Sequence, residues 1–419
     1  MDKLALQDGN PVRSHPFPEW PVWDTAEEEQ LLEVLRSGNW WSMHSDSKVE
    51  QFEQAFAPTH QAKYGRCATS GSAALQISLR AIGINYGDEV IVPPYTFVAT
   101  AAACLLVGAI PVFADIHPET YNLDPARIEA QITARTRAII PVHIGGCPAD
   151  MDAILRIAQQ RGLHVIEDAC QAHAAAWKGH KVGSMGDLGC FSFQASKNIN
   201  AGEGGIILTS DEELAERCWS LRHYGHVRSG VRYHHEVLGD NNRMSEWQAA
   251  LLLAQLKRME ELAALREENG LYLAELLTRI KGIEPQKRDA RITRHAYHLF
   301  IFRYQPEAFE GLSRDHFLHA LQAEGIPCSR GYVPLYRTNA IPDEVERLQK
   351  FISGRKLPYE RPDCPVTERA CEEEGVWLTQ SLLLGTKKDM DDIATAIEKV
   401  AHHAGAAAKH FADRGHHPR

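Results

Sequence analysis

Between residues 66 and 210 short apolar runs alternate with stretches whose apolar residues recur at helical spacing. That alternation is the mark of an α/β architecture. Helices are predicted over Ser72–Ile82, Thr96–Val107, Asp124–Ile132 and Met151–Arg161. Strands are predicted over 89–92, Ile110–Phe113, Ala138–Val142, His164–Glu167, Cys190–Phe193 and Gly205–Thr209. Apolar strands flanked by helices imply a mostly parallel sheet buried on both faces. After Ser245 the texture changes to long helices rich in Ala, Leu and Glu, as far as about Ile280. Beyond them His298–Phe302 and Val376–Leu378 read as strands and Ser313–Glu324 as a helix. Met390, Ile393, Ala394, Ile397 and Val400 fall on one helical face near the end.

The pattern divides the chain into an N-terminal arm (1–30), a large domain (31–265), a smaller α+β C-terminal domain (266–403) and a flexible tail (404–419). With 419 residues, two domains of unequal size are expected. Lys and Arg total 45 against 55 Asp and Glu, a net charge of −10, and no basic block is present. Nucleic acid and anionic membranes are therefore poor partners. The first twenty residues lack the apolar run of a signal peptide, and Ala99–Phe113 is too short to span a bilayer. Nine scattered cysteines without a C-x-x-C pair favour reduced thiols in a cytoplasm over disulfides or zinc. No metal site is predicted.

Five positions carry candidate chemistry. Lys197 follows an apolar strand and precedes Gly202-Glu-Gly-Gly205. It is either a solvated loop lysine or a desolvated amine able to form a Schiff base. Asp168 ends the strand His164-Val-Ile-Glu167, an edge where open α/β sheets bind ligands, although a helix N-cap would look the same. Gln171 lies close behind it. Ser70-Gly-Ser-Ala-Ala74 opens a helix, as a plain cap or as an anion site, and Ser192 has a hydroxyl to add there. Phe97 is a core residue or a stacking partner for a flat ring. Gly239-Asp-Asn-Asn-Arg-Met244 is by composition only a turn with a cap.

Taken in order, Thr69-Ser-Gly-Ser-Ala-Ala-Leu75, Val92-Pro-Pro-Tyr-Thr-Phe-Val-Ala-Thr100, Pro141-Val-His-Ile-Gly145, Ala149-Asp-Met-Asp152, Glu167-Asp-Ala-Cys-Gln-Ala-His173, Phe191-Ser-Phe, Lys197-Asn and Gly202-Glu-Gly-Gly205 resemble the DegT/DnrJ/EryC1/StrS sugar aminotransferases. The resemblance runs from about Trp20 to Val400. It implies the aspartate-aminotransferase fold (fold type I), with a large domain that binds pyridoxal 5'-phosphate, and a homodimer with its active site at the interface.

By that resemblance Lys197 is the Schiff-base lysine and Asp168 the partner of the pyridine nitrogen. Gln171 approaches the ring hydroxyl and Phe97 covers the ring. Gly71, Ser72 and Ser192 hold the phosphate, and Asn241 reaches it from the neighbouring subunit. The family usually has Gly-Thr where this chain has Gly71-Ser72, and an aromatic where Asn242 stands. His143 and His173 also match family positions, with core hydrogen bonding as the other reading. Family dehydratases carry His in place of the lysine, so Lys197 favours amino transfer.

Gly38-Asn-Trp-Trp-Ser42, Phe193-Gln-Ala-Ser-Lys197, Pro334-Leu-Tyr-Arg-Thr338 and Val376-Trp-Leu-Thr-Gln-Ser-Leu-Leu-Leu-Gly385 resemble a subset. That subset comprises scyllo-inosose-type aminotransferases and aminohydroxybenzoate synthases. Glutamine or glutamate as donor and a keto-cyclitol or keto-sugar as acceptor are the expected substrates, with Tyr332 and Tyr336 in the pocket. The rival readings are a nucleotide-linked keto-sugar, for which Arg222, Arg228 and Arg337 would have to cluster, and a dehydrating or aromatising synthase. A regulatory or partner subunit that kept only the fold would have no use for Lys197 and Asp168.

Overall fold

The computed structural model describes residues 2–228, 231, 233–355 and 358–413. In chain order its strands are β1 (Tyr64–Ala68), β2 (Glu89–Val92), β3 (Ile110–Phe113), β4 (Thr136–Ile139), β5 (His164–Asp168), β6 (Ala176–Trp177), β7 (His180–Lys181), β8 (Leu188–Ser192) and β9 (Gly205–Thr209). They continue with β10 (Ile283–Pro285), β11 (Ile292–Arg294), β12 (Leu299–Tyr304) and β13 (Gly375–Thr379). The central sheet has the order β1-β9-β8-β5-β4-β2-β3. Its pairings are parallel from β3 to β8, while β9 runs antiparallel to both β8 and β1. β2, β8 and β9 are buried at every position, as strands covered by helices on both faces must be.

The predicted helices recur with shifted ends. The helix expected from Thr96 begins at Ala99, because the chain leaving β2 first buries Tyr95, whose hydroxyl accepts the Trp377 indole N–H at 2.9 Å. The helix expected over Asp124–Ile132 is an α turn (Pro125–Ile128) passing into a 3-10 turn (Glu129–Gln131). Gly71–Ala81 buries eight of its residues against β8, β9 and Ala99–Leu106. The C-terminal part is a smaller α+β unit. Antiparallel β10-β12-β13 packs with Arg314–Ala323 and Lys387–His402, and the predicted face Met390, Ile393, Ala394, Ile397 and Val400 is buried there.

One expectation is corrected. The tail predicted to be flexible from 404 is helical over Ala404–Asp413. Ala404, Ala407 and Phe411 recur at helical spacing, are buried, and Phe411 stacks on His316 with ring centroids 4.2 Å apart. Those apolar contacts supply the burial that the His- and Ala-rich composition concealed. Residues 414–419 lie outside the described part. Among the described residues no helix is long and apolar enough to cross a membrane.

Two of the buried histidines illustrate how this framework loses stability in acid. His60 Nε2 accepts the Ala174 N–H at 3.2 Å, and His295 Nδ1 accepts the Tyr297 N–H at 2.8 Å. Only a neutral ring offers that lone pair. Burial, the largest cause, lowers both pKa values from 6.5 to about 3. Below pH 6.5 the unfolded chain therefore binds protons that the folded chain refuses, and stability falls with pH until the rings titrate near 3. Each ring accounts for about 1.4 kcal/mol between roughly pH 7.5 and 5.5. Urea unfolding is expected to show about 3 kcal/mol of lost stability over that range from the pair; an unchanged midpoint would remove this account.

Candidate functional site

The carboxyl ends of β5 and β8 and the N-terminus of Gly71–Ala81 open onto one cavity of about 820 Å³. Lys197, Asp168, Gln171, Phe97, Gly71, Ser72 and Ser192 all line it, so seven of the eight residues singled out in the sequence meet in one place. Asn241 does not. It is exposed on this chain and bridges to His223.

Asp168 is the last residue of β5, held by its own N–H to the Pro141 carbonyl (2.9 Å) and by its carbonyl to the His143 N–H (3.1 Å). No helix follows, so the side chain is not a helix cap. It accepts the Cys170 N–H on Oδ1 at 3.2 Å and the Thr100 hydroxyl on Oδ2 at 2.8 Å. Those two bonds fix the plane of a carboxylate that is 5% exposed. Gln171 is fixed at both ends. Its Oε1 accepts the Gly145 N–H at 2.8 Å, and its amide donates to the Tyr332 hydroxyl at 2.9 Å.

Lys197 sits in a turn after β8, its N–H bonded to the Gln194 carbonyl at 2.8 Å. Its side chain is half-buried in the cavity wall. Desolvation, the largest cause, lowers its pKa below the ordinary lysine value, and the Cys170 sulfur and Asp168 carboxylate oppose this only in part. The neutral, nucleophilic amine is thereby made more accessible than in a solvated lysine.

At the opposite wall Ser70 caps the helix, its hydroxyl accepting the Ala73 N–H at 3.1 Å. The first N–H groups of a helix have no intrahelical acceptor, and with Ala73 capped those of Gly71 and Ser72 remain. Gly71 is required for space: a Cβ there would lie 2.7 Å from Ser192 Cβ and 2.8 Å from Cys170 Sγ. The helix end can approach β8 only without a side chain. Phe97 is 58% exposed at the cavity mouth.

The other sequence candidates divide. Tyr332 lines the cavity, but Tyr336 is buried elsewhere, its ring 5.9 Å from that of Phe113 and its hydroxyl on Glu368. Its position in a short turn carried no sign of which way the ring would face. Arg222 and Arg228 lie near each other but away from the cavity, and Arg337 stands apart from both. They pair with Glu53, Glu216 and Glu368 respectively, and none lines the cavity. His143 is a core group: Nδ1 accepts the Ala149 N–H and Nε2 donates to Glu167, both at 3.0 Å. His173 is buried between Phe191 and Phe193.

Several residues of the site and its support were not found from sequence. Thr100, which holds Asp168, lies one turn inside a helix predicted only for its apolar residues. Trp20, Trp377 and Gln380 come from segments distant in sequence. Behind Gln380, Arg266 donates from Nε to Oε1 at 2.8 Å. A signal for Arg266 was present. Met259, Ala263, Arg266, Gly270, Leu273 and Leu277 recur at alternating spacings of four and three and are all buried, which puts a cation in an apolar stripe.

Residues 22–398 match the DegT/DnrJ/EryC1/StrS aminotransferase family. The chain belongs to that family. It is 38% identical over 420 residues to the L-glutamine:2-deoxy-scyllo-inosose aminotransferase of Streptoalloteichus tenebrarius, covering 96% of this chain and 98% of the relative. The crystal structure of 3-amino-5-hydroxybenzoic acid synthase superposes with a TM-score of 0.83 at 35% identity, over 93% of this chain and all of that one. Bacillus subtilis NtdA with bound pyridoxamine phosphate gives 0.76 at 28% identity, over 90% of this chain and 82% of that one. The protein is a pyridoxal-phosphate-dependent aminotransferase of fold type I.

Proposed function

We propose that this aminotransferase moves an amino group from glutamine or glutamate to a keto-cyclitol, with Lys197 as the catalytic lysine and Asp168 as the ring-nitrogen partner. The single observation that carries the reading is the meeting of a desolvated lysine and a doubly hydrogen-bonded carboxylate in one cavity. The residues suit the cofactor. The uncapped N–H groups of Gly71 and Ser72, with the Ser192 hydroxyl, form an anion cradle, and a Cβ at Gly71 would push the helix end away from Ser192 and open it. Gln171 stands within the cavity to meet the ring hydroxyl, and Phe97 at its mouth to cover the ring.

Bound there, the cofactor supplies an electron sink for the substrate carbanion. Lys197 Nζ would hold the cofactor and, once free, would serve as the amine that carries a proton to and from the substrate carbon. Asp168, kept in plane by Thr100 and the Cys170 N–H, would face the ring nitrogen and keep it protonated. The donor product leaves before the acceptor enters, so the kinetics are ping-pong.

The substrate assignment is supported by the scyllo-inosose relative and by a cavity whose outer wall offers Thr379, Gln380, Ser381, Gln194 and Ser196 to a polyol. Among the described residues no arginine lines it, which disfavours a nucleotide diphosphate within one chain's cavity. We further propose a homodimer in which Asn241, exposed on its own chain, reaches the partner's phosphate cradle. The large domain extends to about residue 265, and the nine free cysteines suit a cytoplasmic setting.

The test is incubation with glutamine and a panel of keto-cyclitols and keto nucleotide-sugars, read by mass. Gain of an amine on a cyclitol supports the assignment; loss of water alone, the second reading favoured by the hydroxybenzoate synthase likeness, refutes it. Gly71→Ala is expected to weaken retention of pyridoxamine phosphate about tenfold or more, since overpacking of this kind costs about 1–3 kcal/mol. Equilibrium dialysis measures it, and unchanged retention would remove Gly71 from the cradle.

A further inference from the structure

Arg266 is 1% exposed, yet among the described residues it pairs with no carboxylate. Its Nε donates to Gln380, its Nη2 is buried without a hydrogen-bond partner, and the guanidinium carbon lies 5.0 Å from the Trp20 ring centroid. Buried arginines are normally paired, because an uncompensated buried charge is costly. Here desolvation alone acts on the group and lowers its pKa from 12.5 to about 9. A cation kept in such a place is explained if an anion arrives from outside the chain.

The geometry gives that anion a place. Gln380 and Trp20 both line the cavity. Arg266 engages the Gln380 Oε1, which leaves the amide NH2 as the end free to donate into the cavity. The Trp20 indole N–H is tied to the Ala195 carbonyl at 2.9 Å, so its ring is fixed over the guanidinium and keeps water from it. Asn269, one turn along the same helix, donates to the Leu383 and Gly385 carbonyls at 2.9 and 2.8 Å and holds the segment after Gln380 against it. The other polar groups of that wall, Thr379 and Ser381, are neutral.

We infer that Gln380 and Arg266 form the carboxylate subsite for the amino donor, the Gln380 amide touching the carboxylate and Arg266 orienting that amide and supplying the positive charge behind it. This rests on the proposed amino-acid donor. It explains how one cavity serves two substrates: the donor uses the charge, and the neutral polyol ketone uses the same amide as an ordinary hydrogen-bond donor. Arg266 is a positioning residue, since it acts through Gln380.

The two half-reactions are measured separately on the holoenzyme by single-turnover absorbance. Arg266→Met is expected to raise the glutamine concentration for half-maximal rate about 10- to 100-fold, the usual effect of losing a charge-assisted hydrogen bond. The acceptor half-reaction should change far less, and Arg266→Lys should recover part of the loss. Gln380→Glu, which sets carboxylate against carboxylate, should be worse for glutamine than Gln380→Leu.

The decisive comparison uses 4-aminobutanamide, the glutamine analogue lacking its α-carboxylate. Removing the carboxylate should penalise the parent enzyme strongly and Arg266→Met hardly at all. An equal penalty in both overturns the subsite, as does a variant that loses pyridoxamine phosphate affinity instead. If Arg266→Met does not fold, Gln380→Leu makes the same comparison. A parent enzyme that uses no amino acid as donor fails the proposed function itself, a result distinct from either.

Discussion

Lys197→Ala is expected to abolish amino transfer, with a loss of at least about 10⁴-fold in turnover, the upper range for removing a positioned proton carrier. Among the described residues no other lysine lines the cavity, so none of them can take over its work. Arginine should not substitute, since it cannot be deprotonated to a nucleophile. The phosphate cradle and Asp168 do not involve the lysine side chain, so the variant should still bind pyridoxamine phosphate while losing its visible absorbance with pyridoxal phosphate. Turnover within tenfold of the parent would exclude Lys197 from the chemistry.

Asp168→Asn is expected to have the second largest effect, about 10²–10³-fold on turnover, the scale of losing one preorganised electrostatic contact. The substitution preserves volume, and an amide oxygen can still accept the Thr100 hydroxyl that now lies 2.8 Å from Oδ2. The charge facing the ring nitrogen is lost, together with the bond from the Cys170 N–H, because the amide keeps a single acceptor oxygen. The effect should therefore fall on turnover in both half-reactions far more than on the half-saturating concentration of either substrate. A variant altered in affinity alone would assign Asp168 a structural part.

The contrast between these residues and Arg266 marks what a sequence makes legible. Asp168 reads as the end of a strand and so could be placed at a ligand-binding sheet edge, whereas Ser192 reads as lying within one and takes its part only as a hydroxyl near the helix start. Lys197 and Gly71 gained meaning from neighbours in the chain: a strand before the one, a capped helix after the other. The walls facing them come from residues separated by hundreds of positions, as Trp20 and Trp377 are, and no local period encodes which of these approach. Arg266 was readable as a misplaced cation in an apolar stripe, but its partner Gln380 was not, because their contact depends on how helix Met259–Leu277 packs against the turn after β13. The tail failed for a related reason: the helix at Ala404–Asp413 exists by burying Phe411 on a helix some ninety positions earlier.

Reducing the pyridoxal-phosphate-loaded enzyme with borohydride, digesting it and sequencing the cofactor-bearing peptide by mass spectrometry tests the central assignment. The label is expected on Lys197, within Phe191-Ser-Phe-Gln-Ala-Ser-Lys-Asn198, at one per chain. A label on any other lysine, or loss of all cofactor on dialysis after reduction, would contradict it.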